Sequence, residues 1–255
     1  SEWWSRHRES LASINASTKP AELIREISED LLSIFHPRPL VDEYAIYEQL
    51  MSYWNQTMYD DIALIVSEGW EGAAKPRKAI QDKDRKLSET PDLVIGAGKS
   101  VQKYKMDLIS PELIVKRYFA AEKAKLDNLN AAVEVATQVV EEFIENTSSQ
   151  GGALHQELNV DKVTKTLVTA ELRKAKSQDP DGEEAVALKR LLELFNAEAT
   201  AKKNAKAAGA QLDEATLVKY ADLTTPDIQQ LVIDDKWQTA IEGRVSTEVA
   251  SLANG

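Results

Sequence analysis

The sequence contains no cysteine, so neither a disulfide nor a thiolate metal site is available to it. Histidine is scarce: His7, His36 and His155 lie far apart, and no pair has the HxxxH spacing of a metal-binding helix. No apolar run approaches the ~20 residues of a membrane span. The opening stretch SEWWSRHRES has no apolar signal core, so the Asn-x-Ser/Thr triplets at Asn15, Asn55 and Asn146 read as chance. The expected compartment is the cytoplasm. Positive charge is also short: 31 Lys and Arg stand against 42 Asp and Glu, a net −11, which argues against a surface coated for nucleic acid. The deficit is uneven. From Lys75 to Lys105 nine Lys or Arg face four Asp or Glu, a local +5 that leaves −16 for the remainder.

What the chain does have is length and apolar content. Its 255 residues, 43% of them hydrophobic, are enough for a real core and for more than one domain. The N-terminal third reads as helices. In TKPAELIREISEDLLSIF, Thr18 is placed to cap and Pro20 lies in the first turn, and Leu23, Ile27, Leu31 and Ile34 recur at helical spacing. HPRPL breaks that helix. A second carries Tyr44, Tyr47, Leu50, Met51, Trp54 and Met58 on one side. DIALIV, short and β-rich, reads as a candidate strand. Gly69 and Gly72 bracket Trp70 and end the region. Residues 73–109 change character: a charged loop, then DLVIGAGKSVQKYKMDLI as a β-hairpin, with Gly96 and Gly98 permitting the turn and Tyr104, Met106 and Leu108 alternating with polar residues.

From Ser110 the period becomes helical again, with Pro111 at the first helical position. Val115, Phe119, Glu122, Leu126, Leu129, Val133, Ala136, Val140 and Phe143 step by four and three, a heptad seam about 40 Å long at 1.5 Å per residue. Ala187, Leu191, Leu194, Glu198, Ala201, Ala205, Ala208, Leu212 and Ala215 repeat the pattern. One seam is bulky where the other is rich in alanine, which predicts an antiparallel pair with Leu129 opposite about Ala201. NVDKVTKTLVTAELRKA is a shorter helix between them. After Tyr220, Thr224 or Thr225 caps a further helix with Pro226 at its start. The expected fold is mainly α: a helical region at 1–72 with an aromatic core, a basic loop and β-hairpin at 73–109, and a coiled-coil assembly domain at 110–255.

No catalytic constellation emerges. GAGKS at Gly96–Ser100 resembles the end of a phosphate-binding loop, but Leu93 stands where the first glycine belongs and a strand pattern follows instead of a helix, so a glycine hairpin turn is the reading. MYDDIAL and LVIDDKW each hold paired acids. Adjacent residues point apart on a helix, so these read as helix caps, or as a core Trp beside solvated acids, and not as a metal or acid–base site. Trp3, Trp4, Tyr44, Tyr47, Tyr53, Trp54, Tyr59 and Trp70 read as a small helical core. The candidate DNA contacts are Lys75, Arg77, Lys78, Arg85, Lys86, Lys99, Lys103 and Lys105, with Lys116 and Arg117 on the helix that follows; a solvated charged loop is the competing reading.

At YAIYEQLMSYWNQTMYDDIALI, KYKMDLISPELIVKRYFAAEKAKLDNL and LVIDDKW, in that order and over nearly its whole length, the chain resembles the C-terminal part of the modification (M) subunit of type I restriction-modification systems. The resemblance implies an upstream S-adenosylmethionine-dependent methyltransferase core acting on adenine N6, and a specificity (S) subunit as partner. The family's N-P-P-[FY] motif is not in this sequence, whose prolines stand at 20, 37, 39, 76, 91, 111, 180 and 226, and neither is its glycine-rich cofactor motif. No catalytic or cofactor-binding residue carries over, and S-adenosylmethionine would belong to the upstream domain. The chain reads as the piece downstream of the chemistry, a separately encoded half or a truncated subunit. The implied role is a non-catalytic module that assembles with the S subunit and a second M subunit and contributes to DNA binding, with no membrane partner. The alternatives are a stand-alone nonspecific DNA-binding protein derived from a split M subunit, and a complete methyltransferase with altered motifs.

Overall fold

The computed structural model describes residues 2–35, 43–80, 87–148 and 163–254. The fold is mainly α-helical with one small antiparallel sheet, as the periodicities predict. The chain forms two compact units, residues 1–119 with 213–255, and residues 120–212. The boundaries therefore differ from the three segments read in the sequence. Residues from Asp213 onward group with the N-terminal helices, because Tyr220, Ile228, Leu231, Val232, Ile233, Trp237 and Ile241 share a core with them.

In the first unit, α1 (Glu2–Ala12), α2 (Pro20–Phe35), α3 (Glu43–Tyr53) and α4 (Tyr59–Ala73) supply Trp4, Leu11, Ile27, Ile46, Leu50, Ile62 and Ile65, each at most 1% exposed. Burying a side chain of this size contributes about 1.5–3 kcal/mol before entropy is counted. Thr18 does not cap α2; its hydroxyl accepts from the Asn15 amide and closes the preceding turn. The run DIALIV lies inside α4 and is no strand. A short apolar run cannot decide between the two, and here Ile62 and Ile65 repeat at helical spacing on the buried side. Between α3 and α4, Trp54–Met58 form a π-helical turn. Tyr44 and Tyr59 lie outside the aromatic core, 70% and 51% exposed, while Tyr53, Trp54 and Met58 are buried. Gly69, at φ 72°, kinks α4 just before Trp70.

The expected hairpin is present. β2 (Leu93–Ile95) pairs antiparallel with β3 (Gln102–Lys105), with Leu93 opposite Tyr104. The turn between them needs its glycine. Gly96 has φ 89°, and a Cβ there would stand 2.8 Å from the Ser100 carbonyl oxygen. The stretch read as a loop contributes a third strand, β1 (Arg77–Lys78), which pairs with the far side of β3 in the order β1-β3-β2. The remainder of this unit is α5 (Pro111–Tyr118), the C-terminal end of α8 (Glu183–Ala221), α9 (Thr225–Gln229) and α10 (Thr239–Asn254). Thr224 and Asp227 form a reciprocal capping box at α9.

The second unit is a helical arm of α6 (Ala120–Ser148), α7 (Lys165–Gln178) and α8 up to Leu212. The first seam is shorter than the sequence suggests. Phe119, at φ −129° and ψ 32°, separates α5 from α6, so Val115 and Phe119 belong to the first unit and the arm's seam runs from Leu126 through Leu129, Val133 and Ala136 to Val140 and Phe143. Those six are shielded, as are Thr137, Ile144, Thr147 and Ser148, on a helix otherwise largely open to solvent. On α8 the seam positions Leu191, Leu194, Ala201, Ala205 and Leu212 are likewise shielded; Ala215 falls in the first unit. Leu126 approaches Gly209, at 3.9 Å from the position of an added Cβ, and the Thr137 hydroxyl donates to Glu198 at 2.9 Å. Eleven positions forward on α6 thus match eleven backward on α8, so the pair is antiparallel. Its register puts Leu129 between Ala205 and Ala208, about one turn from the expected Ala201. At the other end Val140, Val168, Leu172, Ala175, Leu188 and Leu191 form a separate core that uses α7.

Leu191 is fully buried in that core, as are Val168 and Leu188. Leu191→Ala is expected to cost about 2–5 kcal/mol and to release hydrogen-exchange protection in the arm while residues 2–35 keep theirs. Val135→Ala, at a position 61% exposed, is expected to stay within about 0.5 kcal/mol of wild type.

Candidate functional site

The two acid-pair motifs meet. Asp61, on the first turns of α4, is 5% exposed. It faces Gln230–Gln238, a second π-helical stretch in which Leu231, Val232 and Ile233 are all buried. Lys236 Nζ donates to Asp61 Oδ1 at 2.8 Å and lies 2.7 Å from Oδ2. Trp237 Nε1 donates to Oδ2 at 2.8 Å. A second Lys236 proton goes to the Leu108 carbonyl at 2.7 Å. Burial pushes the Asp61 carboxyl above the usual aspartate range, and the Lys236 charge and the two donors pull it partly back.

The neighbouring acids point elsewhere. Asp235 accepts two bonds from Arg117 at 2.5 and 2.7 Å, and Asp234 is held by Arg8 at 2.9–3.2 Å. LVIDDKW therefore ties one short stretch to α1, to α4, to the segment before α5 and to α5 itself. Trp237 packs in the core as expected and Asp60 is exposed, whereas Asp61 is buried on Lys236 and the partly exposed Asp234 and Asp235 are each paired with an arginine. Among the described residues no group of three or more His, Asp or Glu is placed to hold a metal ion, and His7 is bonded to Asp30 at 2.8 Å between α1 and α2. No helix among them is long and apolar enough to cross a membrane.

The candidate DNA contacts divide in two. Arg77 is gripped by Glu89 at 2.5 and 2.9 Å and by Asp107 at 2.5 and 2.9 Å. Lys105 is paired with Asp92 at 2.7 Å, and Arg117 is held by Asp235. These three cations are engaged by carboxylates within the fold. Lys75, Lys78, Lys99 and Lys116 are exposed and Lys103 is half-buried; none of the five has a carboxylate partner among the described residues. Arg85 and Lys86 lie outside the described residues. GAGKS forms the hairpin turn, with a single 3-10 turn at Gly98–Ser100. Lys78 and Lys103, with Ala79, Gly98, Val101 and Gln102, line an open groove of about 680 Å³ beside it.

Two outcomes are expected. Lys236→Met leaves the Asp61 charge buried without a partner and should cost about 3–5 kcal/mol near neutral pH. The deficit should shrink as pH falls, because protonating Asp61 removes the uncompensated charge; a denaturation series against pH reads it. The Glu89 carboxyl is lowered from 4.5 to about 2, first by Arg77 and then by the Ile80 amide. Its contribution to the sheet is present above pH 4.5 and lost as pH falls toward 2, and Glu89→Gln should abolish that acid dependence in the hydrogen exchange of β1.

Comparison of the chain with known protein families, curated proteins and solved structures finds no match.

Proposed function

We propose that this chain is a non-catalytic assembly module of the kind found at the C-terminal end of type I modification subunits, acting in the cytoplasm with a specificity subunit, a second modification subunit and DNA. The observation that carries the reading is the convergence of the three stretches on which the resemblance rests. Asp61 comes from the first, the Leu108 carbonyl and Arg117 from the second, and Asp235, Lys236 and Trp237 from the third. Their polar groups bond one another, which suits a scaffold, and S-adenosylmethionine chemistry is left to an upstream domain. The arm supports the assembly half. Of the 29 residues of α6 only Val140 and Ser148 are buried, while Val135 and Val139 are 61% and 40% exposed, an apolar stripe one helical turn long for the helical spacer of a specificity subunit. The lysines without carboxylate partners favour the second reading, a stand-alone nonspecific DNA-binding protein.

The test is reconstitution. Mixed with a type I specificity subunit and a separately supplied catalytic half, the chain should co-elute as a complex, and Val135→Glu with Val139→Glu should abolish co-elution without changing the melting temperature of the chain. Calorimetry of the chain alone with S-adenosylmethionine should give no heat. Micromolar cofactor binding, or failure to enter the complex, would overturn the proposal.

A further inference from the structure

We infer that the groove between α2 and α3 is a docking site for a basic amphipathic helix of a partner protein. It is a face that the proposed function does not use, and the two stand or fall separately.

Spacing builds the floor. Ile24, Ser28 and Leu32 recur every four residues along α2, and Tyr44, Tyr47 and Met51 recur at three and four along α3, so each set lies on one side of its helix. Together they line an open groove of about 500 Å³. Ile24, Leu32, Tyr47 and Met51 are half-buried, and Tyr44 is 70% exposed. The one hydroxyl on the α2 side is already spent: Ser28 is buried and donates to the Arg25 carbonyl at 3.1 Å, within its own helix. What remains is apolar surface on two helical walls. A third helix whose apolar residues repeat at three and four fills such a groove. From Ile24 to Leu32 the groove runs about 12 Å at 1.5 Å per residue, so it engages about two turns of that helix.

Charge defines the partner. α2 and α3 hold six acids, Glu22, Glu26, Glu29, Asp30, Glu43 and Glu48, and one base, Arg25. Glu22 is paired with Lys19, and Asp30 with Arg6 and His7. Glu26, Glu29 and Glu48 are exposed and have no basic partner among the described residues. Glu29 lines the groove from the α2 side, with Arg25 one turn away. Glu48 stands one turn from both Tyr44 and Met51, on the rim of α3. Residues 36–42, which join the two helices, add one Arg and one Asp and leave the balance unchanged. An acidic rim around an apolar floor repels phosphate, which disfavours nucleic acid and anionic membrane, and it attracts Lys and Arg that flank an apolar stripe. A second copy docked through the same groove would set acidic rim against acidic rim.

The experiment titrates the full chain into a fluorescein-labelled 14-residue peptide of leucine and lysine, its leucines spaced three and four apart, and reads anisotropy. Glu29→Lys with Glu48→Lys should weaken binding at least about tenfold, and so should Leu32→Ala with Tyr47→Ala. Glu134→Lys with Glu141→Lys, at exposed acids of α6, makes the same change of charge away from the groove and should leave binding within about twofold. Both charge-reversed variants should melt at the wild-type temperature, because these four side chains are exposed, so the test holds even if Leu32→Ala with Tyr47→Ala loosens the fold. A scrambled peptide of the same composition, and the original with Glu in place of Lys, should each bind at least about tenfold more weakly. Absence of wild-type binding overturns the site. Equal losses in the groove and α6 charge variants, or equal binding of the scrambled peptide, overturn it in favour of diffuse charge. Equal binding of the Glu peptide overturns the basic partner. A wild-type dimer in sedimentation that Leu32→Ala with Tyr47→Ala dissociates assigns the groove to a second copy and overturns the partner helix.

Discussion

Asp61 and Lys236 are taken out of water together, and the first unit depends on that pair being complete. Removing either charge from solvent costs several kcal/mol, which attraction offsets only when the remaining donors and acceptors are also satisfied. Here they are: the carboxylate takes Lys236 and the Trp237 indole, and the ammonium also reaches the Leu108 carbonyl. A pair this demanding of geometry is a poor source of net stability and a strict judge of register. If α4 or the 230–238 stretch slipped by one residue, a charge would be left buried and alone. The two π-helical turns gain meaning in this light. Trp54–Met58 precedes Asp61 and Gln230–Gln238 contains Lys236, so each altered turn sets the side-chain direction that the pair requires. Arg8–Asp234 and Arg117–Asp235, both partly exposed, add smaller amounts and fix the flanking helices around the same stretch.

The arm is built on different physics. Among the described residues no ion pair is enclosed in its seam, and close approach of α6 to α8 comes from size, with leucine and valine on one helix set against alanine and glycine on the other. A polar seam contact among the described residues is Glu198, which accepts from Thr137 and Lys202. A single polar residue in an otherwise apolar seam can fix register at some cost in stability, and an alanine-rich seam, which tolerates sliding, needs such a mark. Firm apolar packing is concentrated where α7 joins, around Val168, Leu188 and Leu191. A long helix with one covered stripe suits a surface that meets a partner.

Much of this architecture was legible in the residues because it is periodic. The faces of α2 and of both seams repeat at three and four, the hairpin alternates at two around Gly96, and Thr224 or Thr225 ahead of Pro226 announces a helix start. The errors fall where local pattern is silent. DIALIV is too short to choose a period. The π-helical turns change bonding without changing composition, and nothing in the residue types marks Tyr44 and Tyr59 as exposed. Phe119 breaks a heptad that continues in the letters. The lock itself joins residues 175 positions apart. Its only trace is an acid amid the apolar positions Met58, Ile62 and Ile65, and a lysine immediately before a tryptophan. The basic stretch misled for a related reason: composition counts Arg77 and Lys105 as free charge, and only the fold reveals the carboxylates that neutralise them.

Native-state hydrogen exchange decides most directly whether LVIDDKW is scaffold or a site that moves to act. If the lock holds the first unit together, the amides of Leu231–Trp237 and Ile62–Ile65 should open only with global unfolding of that unit, at the same free energy and with the same denaturant dependence. Exchange of Leu231–Trp237 through small local openings, several kcal/mol below those of Ile62–Ile65, would contradict the account and mark the stretch as a mobile functional element.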